Sequence, residues 1–458
     1  MLADERPLAI DKTLGAWTDD ESWLKLVSDL RHFPGHVRYL ELCAGLGTLG
    51  IVLEHLLGPG KADCVGHFEK DSRLRTEDQH RPCDHFGKDG DILRLSQSDM
   101  EALPACHILA AGPPCPPWSA LGCRDSFSDM RAAVFWRVID IVLMQAQLGH
   151  MLFFVLENVK GITDKASGSS RSPADEIMSA LTVGLGHDWT VELIHLNTVD
   201  FGLPQRRPRV YFVGRRLSRY PLGKPPAVTV FKNAVALGTL LDTTDNVGHA
   251  YTPMQQANIR DFKTAFRSFM INAGHAGKYA VVDASRSPSG RTAWRGVKPT
   301  PCLCECLTAS GPQLHVFALG EGMGSPASVF GRRSLSLDRP LRTHERAVLQ
   351  GFSRQLGRKF DEKIGKMAFG NAMSVPVLGC VVGRELTALL RGNGRDTLAS
   401  ILSKAANPEP DMHCWHPGNP ELDMELHDTS AAEDPDCKTG MQRTFPACSL
   451  HHCPSGLA

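Results

Sequence analysis

No uninterrupted apolar run in this sequence approaches 18 residues, which excludes a simple membrane-spanning helix. The stretch Met1 to Pro7 mixes charges and lacks an apolar core, so no secretory leader is expected there. Cysteine is present (14 residues) but has none of the compact spacing of a disulfide scaffold. A reducing, intracellular compartment is therefore expected: the nucleus in a eukaryote, the cytoplasm in a bacterium. Net charge is missing too, with 50 Lys and Arg against 50 Asp and Glu, and by itself this speaks against a polyanionic partner. Locally the balance is different. Between Gln205 and Arg346, 21 basic residues stand against 8 acidic ones, while from Ala405 onward 9 acidic residues stand against 2 basic. A neutral total hides a basic middle and an acidic tail. The sequence has no internal repeat.

What is there is ordinary globular composition, 42% apolar and 22% charged, in 458 residues. That length suits two domains, or one with a large insert. Residues 18–33 carry acids first and apolar residues at helical spacing, which predicts an amphipathic helix. Strands are expected at 37–43, 64–68, 106–111, 151–156, 189–196 and 210–213, and helices at 48–57 and 128–147. Apolar strands alternating with helices predict an α/β fold with a doubly wound, mostly parallel sheet. The rhythm breaks over 215–339, which is rich in Pro, Gly, Ser and Arg and reads as a smaller irregular domain. Helices return at 343–350 and 375–390. From Arg391 the pattern fades, and the acidic end, 391–458, is expected to be disordered.

One stretch stands out: Ala111-Gly-Pro-Pro-Cys115-Pro-Pro-Trp118-Ser119. Prolines fix φ and remove donors, so the Cys115 thiol is held in one geometry just past an apolar strand. That suits a nucleophile, although a stiff loop around an incidental thiol fits equally. Glu41-Leu-Cys43-Ala-Gly45-Leu-Gly47-Thr48 ends the first strand and opens a helix, where glycines let the backbone approach a ligand. The missing third glycine and the acidic Glu41 disfavour a dinucleotide and suit a ligand with positive charge. Glu69 and Asp71 follow the second strand, where a carboxylate can accept ribose hydroxyls, and Asp91-Ile92 stands where a third strand should end. Each acid alone also fits a helix cap or a solvated turn. Glu157-Asn158-Val159 closes another apolar strand, where desolvation is expected to favour a protonated carboxyl suited to general acid work. Arg207 and Arg209 alternate in Gln205-Arg-Arg207-Pro-Arg209 and so share one face of an extended chain; surface salt bridging is the alternative.

The ordered set Glu-x-Cys-Ala-Gly-x-Gly, Pro-Pro-Cys, Glu-Asn-Val and Gln-x-Arg-x-Arg resembles the DNA (cytosine-5)-methyltransferases. Arg342-Thr-His-Glu345-Arg-Ala-Val-Leu-Gln350-Gly-Phe352 and Gly370-Asn371-Ala372 look like that family's last two motifs, so the resemblance covers residues 37 to 390. It implies a Rossmann-like class I S-adenosylmethionine-dependent methyltransferase fold. The implied plan is an N-terminal helical extension (1–36), a catalytic and cofactor-binding domain (37–214), a target recognition domain (215–339), a return to the catalytic domain (340–390) and a tail (391–458). It further implies S-adenosylmethionine held by Glu41, Cys43, Gly45, Gly47, Glu69, Asp71, Asp91, Ile92, Pro113, Asn371 and Ala372. Catalysis would fall to Cys115, Glu157, Arg207 and Arg209, acting as a monomer on double-stranded DNA with a flipped-out cytosine. The chain departs from the family at Cys43 (usually Phe), Thr48 (usually Gly), Pro116 (often Gln) and Trp118 (usually Phe). Cys302-x-Cys304-x-Cys306 has no partner set at zinc spacing, and no metal is expected. Three readings stay open: a DNA methyltransferase, a tRNA cytosine-5 methyltransferase of the same family, and a catalytically silent DNA-binding regulator on the same fold.

Overall fold

The computed structural model describes residues 17–75, 89–115, 118, 132–165, 169–242, 249–273, 279–288, 303–318 and 339–404. Met1–Glu409 forms one compact unit; Pro410–Ala458, the second, lies outside the described residues. Six segments build the main sheet: β1 (Val37–Leu42), β2 (Ala62–Phe68), β3 (Ile108–Ala111), β4 (Phe153–Val159), β5 (Trp189–Asn197) and β6 (Pro208–Arg216). Their order is β2-β1-β3-β4-β6-β5. β1 pairs in parallel with β2 and β3, and β3 with β4, whereas β6 runs antiparallel to both β4 and β5. Only a short connection, with a 3-10 turn at Thr198–Phe201, joins β5 to β6. It is too short for a parallel crossover, so the last strand must reverse.

The helices are α1 (Glu21–Leu30), α2 (Thr48–Leu57), α3 (Gln97–Glu101), α4 (Ala132–Gln147), α5 (Pro173–Leu185), α6 (Leu237–Leu240), α7 (Pro253–Ala273), α8 (Thr343–Leu349), α9 (Arg354–Arg358), α10 (Glu362–Asn371), α11 (Val375–Asn393) and α12 (Arg395–Lys404). Strand residues alternate between two cores, as the two-residue period requires. Tyr39, Ile108, Ala110, Phe153 and Val155 pack with Leu49, Val52 and Leu53 of α2 and with Val381 and Val382 of α11. Leu40, Leu109, Ala111, Phe154 and Leu156 face the other way, onto Phe135 and Val138 of α4 and Ile177 and Leu181 of α5. Helices on both faces make the sheet doubly wound and Rossmann-like, as expected.

Several expectations need correction. The first helix is shorter than 18–33, because Asp20 caps it by accepting from the Ser22 N–H. No strand ends at Asp91 among the described residues; Asp91 instead caps a 3-10 turn at Ile92–Arg94. β4 continues past Leu156 to Val159, because β6 pairs with it as far as Val159↔Arg209. The basic middle is more regular than expected. It contains α7 and, with β7 (Tyr279–Asp283), β8 (Leu314–Ala318) and β9 (Arg339–Pro340), a three-stranded antiparallel sheet around Phe262, Phe266, Val282 and Phe317. Helix also persists beyond Arg391, since Leu398 and Leu402 of α12 are buried against the core. One stretch among the described residues, Glu362–Asn393, is long and apolar enough to cross a membrane by composition, and most of it is buried as core helix.

Candidate active site

The loop after β1 sits at the carboxyl edge of the sheet, where open α/β sheets hold ligands. Cys43 (φ 50°), Gly45 (φ 55°) and Gly47 (φ 69°) all adopt left-handed backbone, a conformation that costs cysteine more than glycine. A Cβ on Gly45 would meet no protein atom within 4 Å, so the space in front of this backbone is unfilled. The Glu69 carboxylate closes the loop: Oε2 accepts from Gly45 N–H and Oε1 from Asp71 N–H, both at 2.8 Å. Burial pushes its pKa up, against the pull of these two bonds. Gly90 presses so closely on the Glu69 backbone that a Cβ would lie 2.3 Å from Glu69 O. Asp91 accepts from Leu93 N–H and pairs with Lys70 at 2.8 Å. Ile92 is buried in the core beneath it.

Three of these residues take roles that their spacing does not reveal. Glu41 is fully buried, and its Oε1 accepts from Leu49 N–H at 3.0 Å, so it holds the N-terminus of α2. Burial raises its pKa to about 8, against the pull of the helix N–H groups, and its Oε2 has no hydrogen-bond partner. Turned inward to the helix, Glu41 does not face a ligand as expected; Glu69, which accepts from the glycine loop itself, is better placed to do so. Asp71 is gripped by the Arg73 guanidinium at 2.6 and 2.8 Å, which draws its pKa down. Asn371 is exposed at the end of α10, and the carbonyls of Gly370 and Ala372 face Arg207. The chain does return to the glycine loop nearby. A Cβ on Gly112 would lie 3.9 Å from both Cys43 O and Met373 Cε.

Cys115 lies four residues past β3, half-buried. Asn158 on β4 ties its loop down, donating from Nδ2 to Pro113 O at 3.2 Å. Trp118 N–H donates to Cys115 O at 3.0 Å, and the Trp118 ring packs edge-on against Phe135 at 5.6 Å. Pro116 lies outside the described residues. On the face of β4 that carries Phe153 and Val155, Glu157 is 7% exposed and meets Arg209 Nε at 2.9 Å through Oε1. The approach is oblique. Oε1 is buried and lacks an aligned hydrogen bond, leaving an acceptor for another donor. Burial pushes the Cys115 thiol up; Arg209 and Arg207 pull it down, and Glu157 adds to the rise. Arg209 is held firmly protonated by Cys306, Glu157 and Cys115 in spite of its burial.

Arg207 does share its face with Arg209, and both reach Cys306 Sγ, at 3.5 and 3.7 Å. It is not a surface ion-pairing group, however. At 2% exposure it donates to Leu307 O at 2.7 Å, Gly370 O at 3.1 Å and Ala372 O at 2.9 Å, joining the residue just before β6 to the end of α10. Gln205 does similar work, donating to Leu349 O and accepting from Leu307 N–H. Cys304 bridges to Gln205 in parallel register, which draws the Cys306 segment alongside β6. Cys306 emerges as a site residue that the spacing did not single out, as does Gly161, where a Cβ would lie 2.1 Å from Trp118 O. Asn158 was visible within its motif, but its bond to a distant proline carbonyl was not.

A thiol, a carboxylate and a guanidinium thus converge at one end of the sheet, next to a glycine loop with a fixed carboxylate. The model for C-5 cytosine-specific DNA methylases matches residues 37–385. The chain belongs to that family. Among curated methylases, a type II methyltransferase of Neisseria gonorrhoeae, M.NgoBI, is 34% identical over 214 residues, 46% of this chain and 60% of that protein. M.HgiBI of Herpetosiphon aurantiacus is 34% identical over 179 residues, 39% of this chain and 37% of its own length. The matches to these methylases therefore span less than two thirds of either relative. Of solved structures, the Entamoeba histolytica methyltransferase EhMeth aligns at TM-score 0.47 and 17% identity, over 76% of this chain and 98% of that one.

Proposed function

We propose that this methylase-family chain is an S-adenosylmethionine-dependent DNA (cytosine-5)-methyltransferase. The carrying observation is the meeting of Glu157 and Arg209 at 2.9 Å with Cys115 charge-coupled to both. Unfilled space before the Gly45 backbone and the fixed Glu69 carboxylate fit an adenosyl ligand. Glu69, Cys43, Gly45, Asp91 and Pro113 would hold S-adenosylmethionine, which supplies an electrophilic methyl group when bound. Cys115 Sγ attacks C6 of a cytosine swung out of the duplex, while Glu157 holds a proton at N3. Once Glu157 carries that proton, its repulsion of Cys115 vanishes, and Arg209 then favours the thiolate. Arg209 also stands near the cytosine O2, and Arg207, caged by three carbonyls, fixes the segment that leads into β6 and so places Arg209. After methyl transfer, loss of the C5 proton and of the Cys115 sulfur restores the ring; no side chain is assigned to that deprotonation.

The basic segment 215–339 acts as the recognition domain on double-stranded DNA, reading the major groove. The protein works as a monomer on DNA inside the cell, in nucleus or cytoplasm according to its source. The test is incubation with tritiated S-adenosylmethionine and either duplex DNA or tRNA, using wild type and Cys115→Ser. Label is expected on DNA from wild type only, together with a covalent adduct on 5-fluorocytosine DNA that Cys115→Ser lacks. Label confined to tRNA, or none on DNA, refutes the assignment.

A further inference from the structure

Arg207 and Arg209 bring two positive charges into the site, and Glu157 answers only one of them through the ion pair with Arg209. Arg207 is buried among backbone carbonyls of Leu307, Gly370 and Ala372, which are dipoles rather than charges. The group between the two guanidiniums is Cys306, whose sulfur accepts from Arg207 Nη1 at 3.5 Å and from Arg209 Nη2 at 3.7 Å. Among the described residues, a Cys306 S–H could donate only to Leu307 O, at a long 3.5 Å and on a carbonyl shared with Arg207, which donates to it at 2.7 Å. Two donors aimed at one sulfur describe an acceptor.

We propose that Cys306 is an anionic positioning residue: its thiolate balances Arg207 and Arg209 and fixes Arg209 beside Glu157 and Cys115. Its charge is set by Arg209 on β6 and Arg207 just before it, both aimed at its sulfur; Glu157 on β4 faces Arg209, Cys115 in the loop after β3 is drawn by both arginines, and Cys304 and Glu305 stand beside Cys306 in the chain. The two arginines draw the Cys306 thiol below its ordinary range against the cost of burial. With Cys306 ionised the resting site is neutral: two guanidiniums against Glu157 and Cys306. Cys306 touches no reacting atom; it acts through Arg209. The inference uses the site proposed above, but its test needs no methyl transfer, so either can fail alone.

The test is alkylation of the full chain by iodoacetamide between pH 5.5 and 9.5, resolved at Cys115 and Cys306 by tandem mass spectrometry. In wild type, Cys306 should half-react below the pH of an ordinary thiol. Cys306→Ser, neutral and near-isosteric, should lower the half-reaction pH of Cys115 by about one unit, because the two arginines that draw the Cys115 thiol down are then answered by one anion fewer. Cys306→Asp restores the charge and should bring Cys115 back toward wild type, which loss of packing alone would not do. An ordinary titration of Cys306 in wild type overturns the proposal without any variant. So does an unmoved Cys115 in a Cys306→Ser protein whose melting curve shows it folded.

Discussion

Gly161 is the position where one added carbon should do most harm to catalysis for least harm to the fold. It opens the turn after β4, in Lys160–Thr163, and a Cβ there would lie 2.1 Å from the Trp118 carbonyl oxygen. Real Cβ contacts do not fall under 3.0 Å, so Gly161→Ala must move that carbonyl by about 1 Å. The obstacle is backbone, not a flexible side-chain end, so the shift passes through the Trp118 N–H bond to Cys115 O. A nucleophile displaced by about 1 Å loses on the order of 100-fold in rate, whereas overpacking of this kind costs about 1–3 kcal/mol of stability. The assay pairs initial rates of tritium transfer, or of adduct formation on 5-fluorocytosine DNA, with urea unfolding. A folded Gly161→Ala protein with a wild-type rate of adduct formation would show that the Cys115 loop is not held through Trp118, and the reasoning fails.

Arg207→Ala strips donors from three buried carbonyls and should cost about 3 kcal/mol or more. Arg207→Lys should recover little, because a single ammonium cannot span Leu307, Gly370 and Ala372; urea midpoints for the two variants decide this, and full rescue by lysine refutes the cage. Glu41 has a folded pKa raised to about 8 from its ordinary 4.5, so its protonated form favours the fold. That stability is fully present below pH 4.5 and is lost as pH rises through about 8. The slope from this group is at most about 1.4 kcal/mol per pH unit. Glu41→Gln should flatten the fall in unfolding free energy between pH 5.5 and 8.5; equal slopes in both proteins contradict a neutral Glu41.

The strands of the main sheet were legible because each is a short apolar run flanked by turn residues, and such runs bury themselves whatever their neighbours. The Gly45–Gly47 loop and the Pro113–Cys115 frame were legible for a related reason: glycine and proline constrain their own backbone. The Asp91 strand was misread because an acid after a gap looks alike as a strand end or a cap, and the cap to Leu93 shows only in three dimensions. Helix α12 was missed because its hydrophobic face makes sense only against the core that receives Leu398 and Leu402.

By itself the sequence determined the α/β class and the order of the motifs, and it singled out Cys115, Glu157 and Arg209 as candidates, since periodicity and residue chemistry are local properties. Tertiary structure alone decided what those residues meet. It turned Glu41 from a ligand acid into a helix anchor, because burial removed the water that keeps a carboxylate charged. It made Arg207 a clamp on three backbone carbonyls rather than a surface ion-pairing group and set Cys306, 97 residues away along the chain, against Arg209. Charge and hydrogen-bond partners depend on distance through space and on local dielectric, and neither is encoded at a single position.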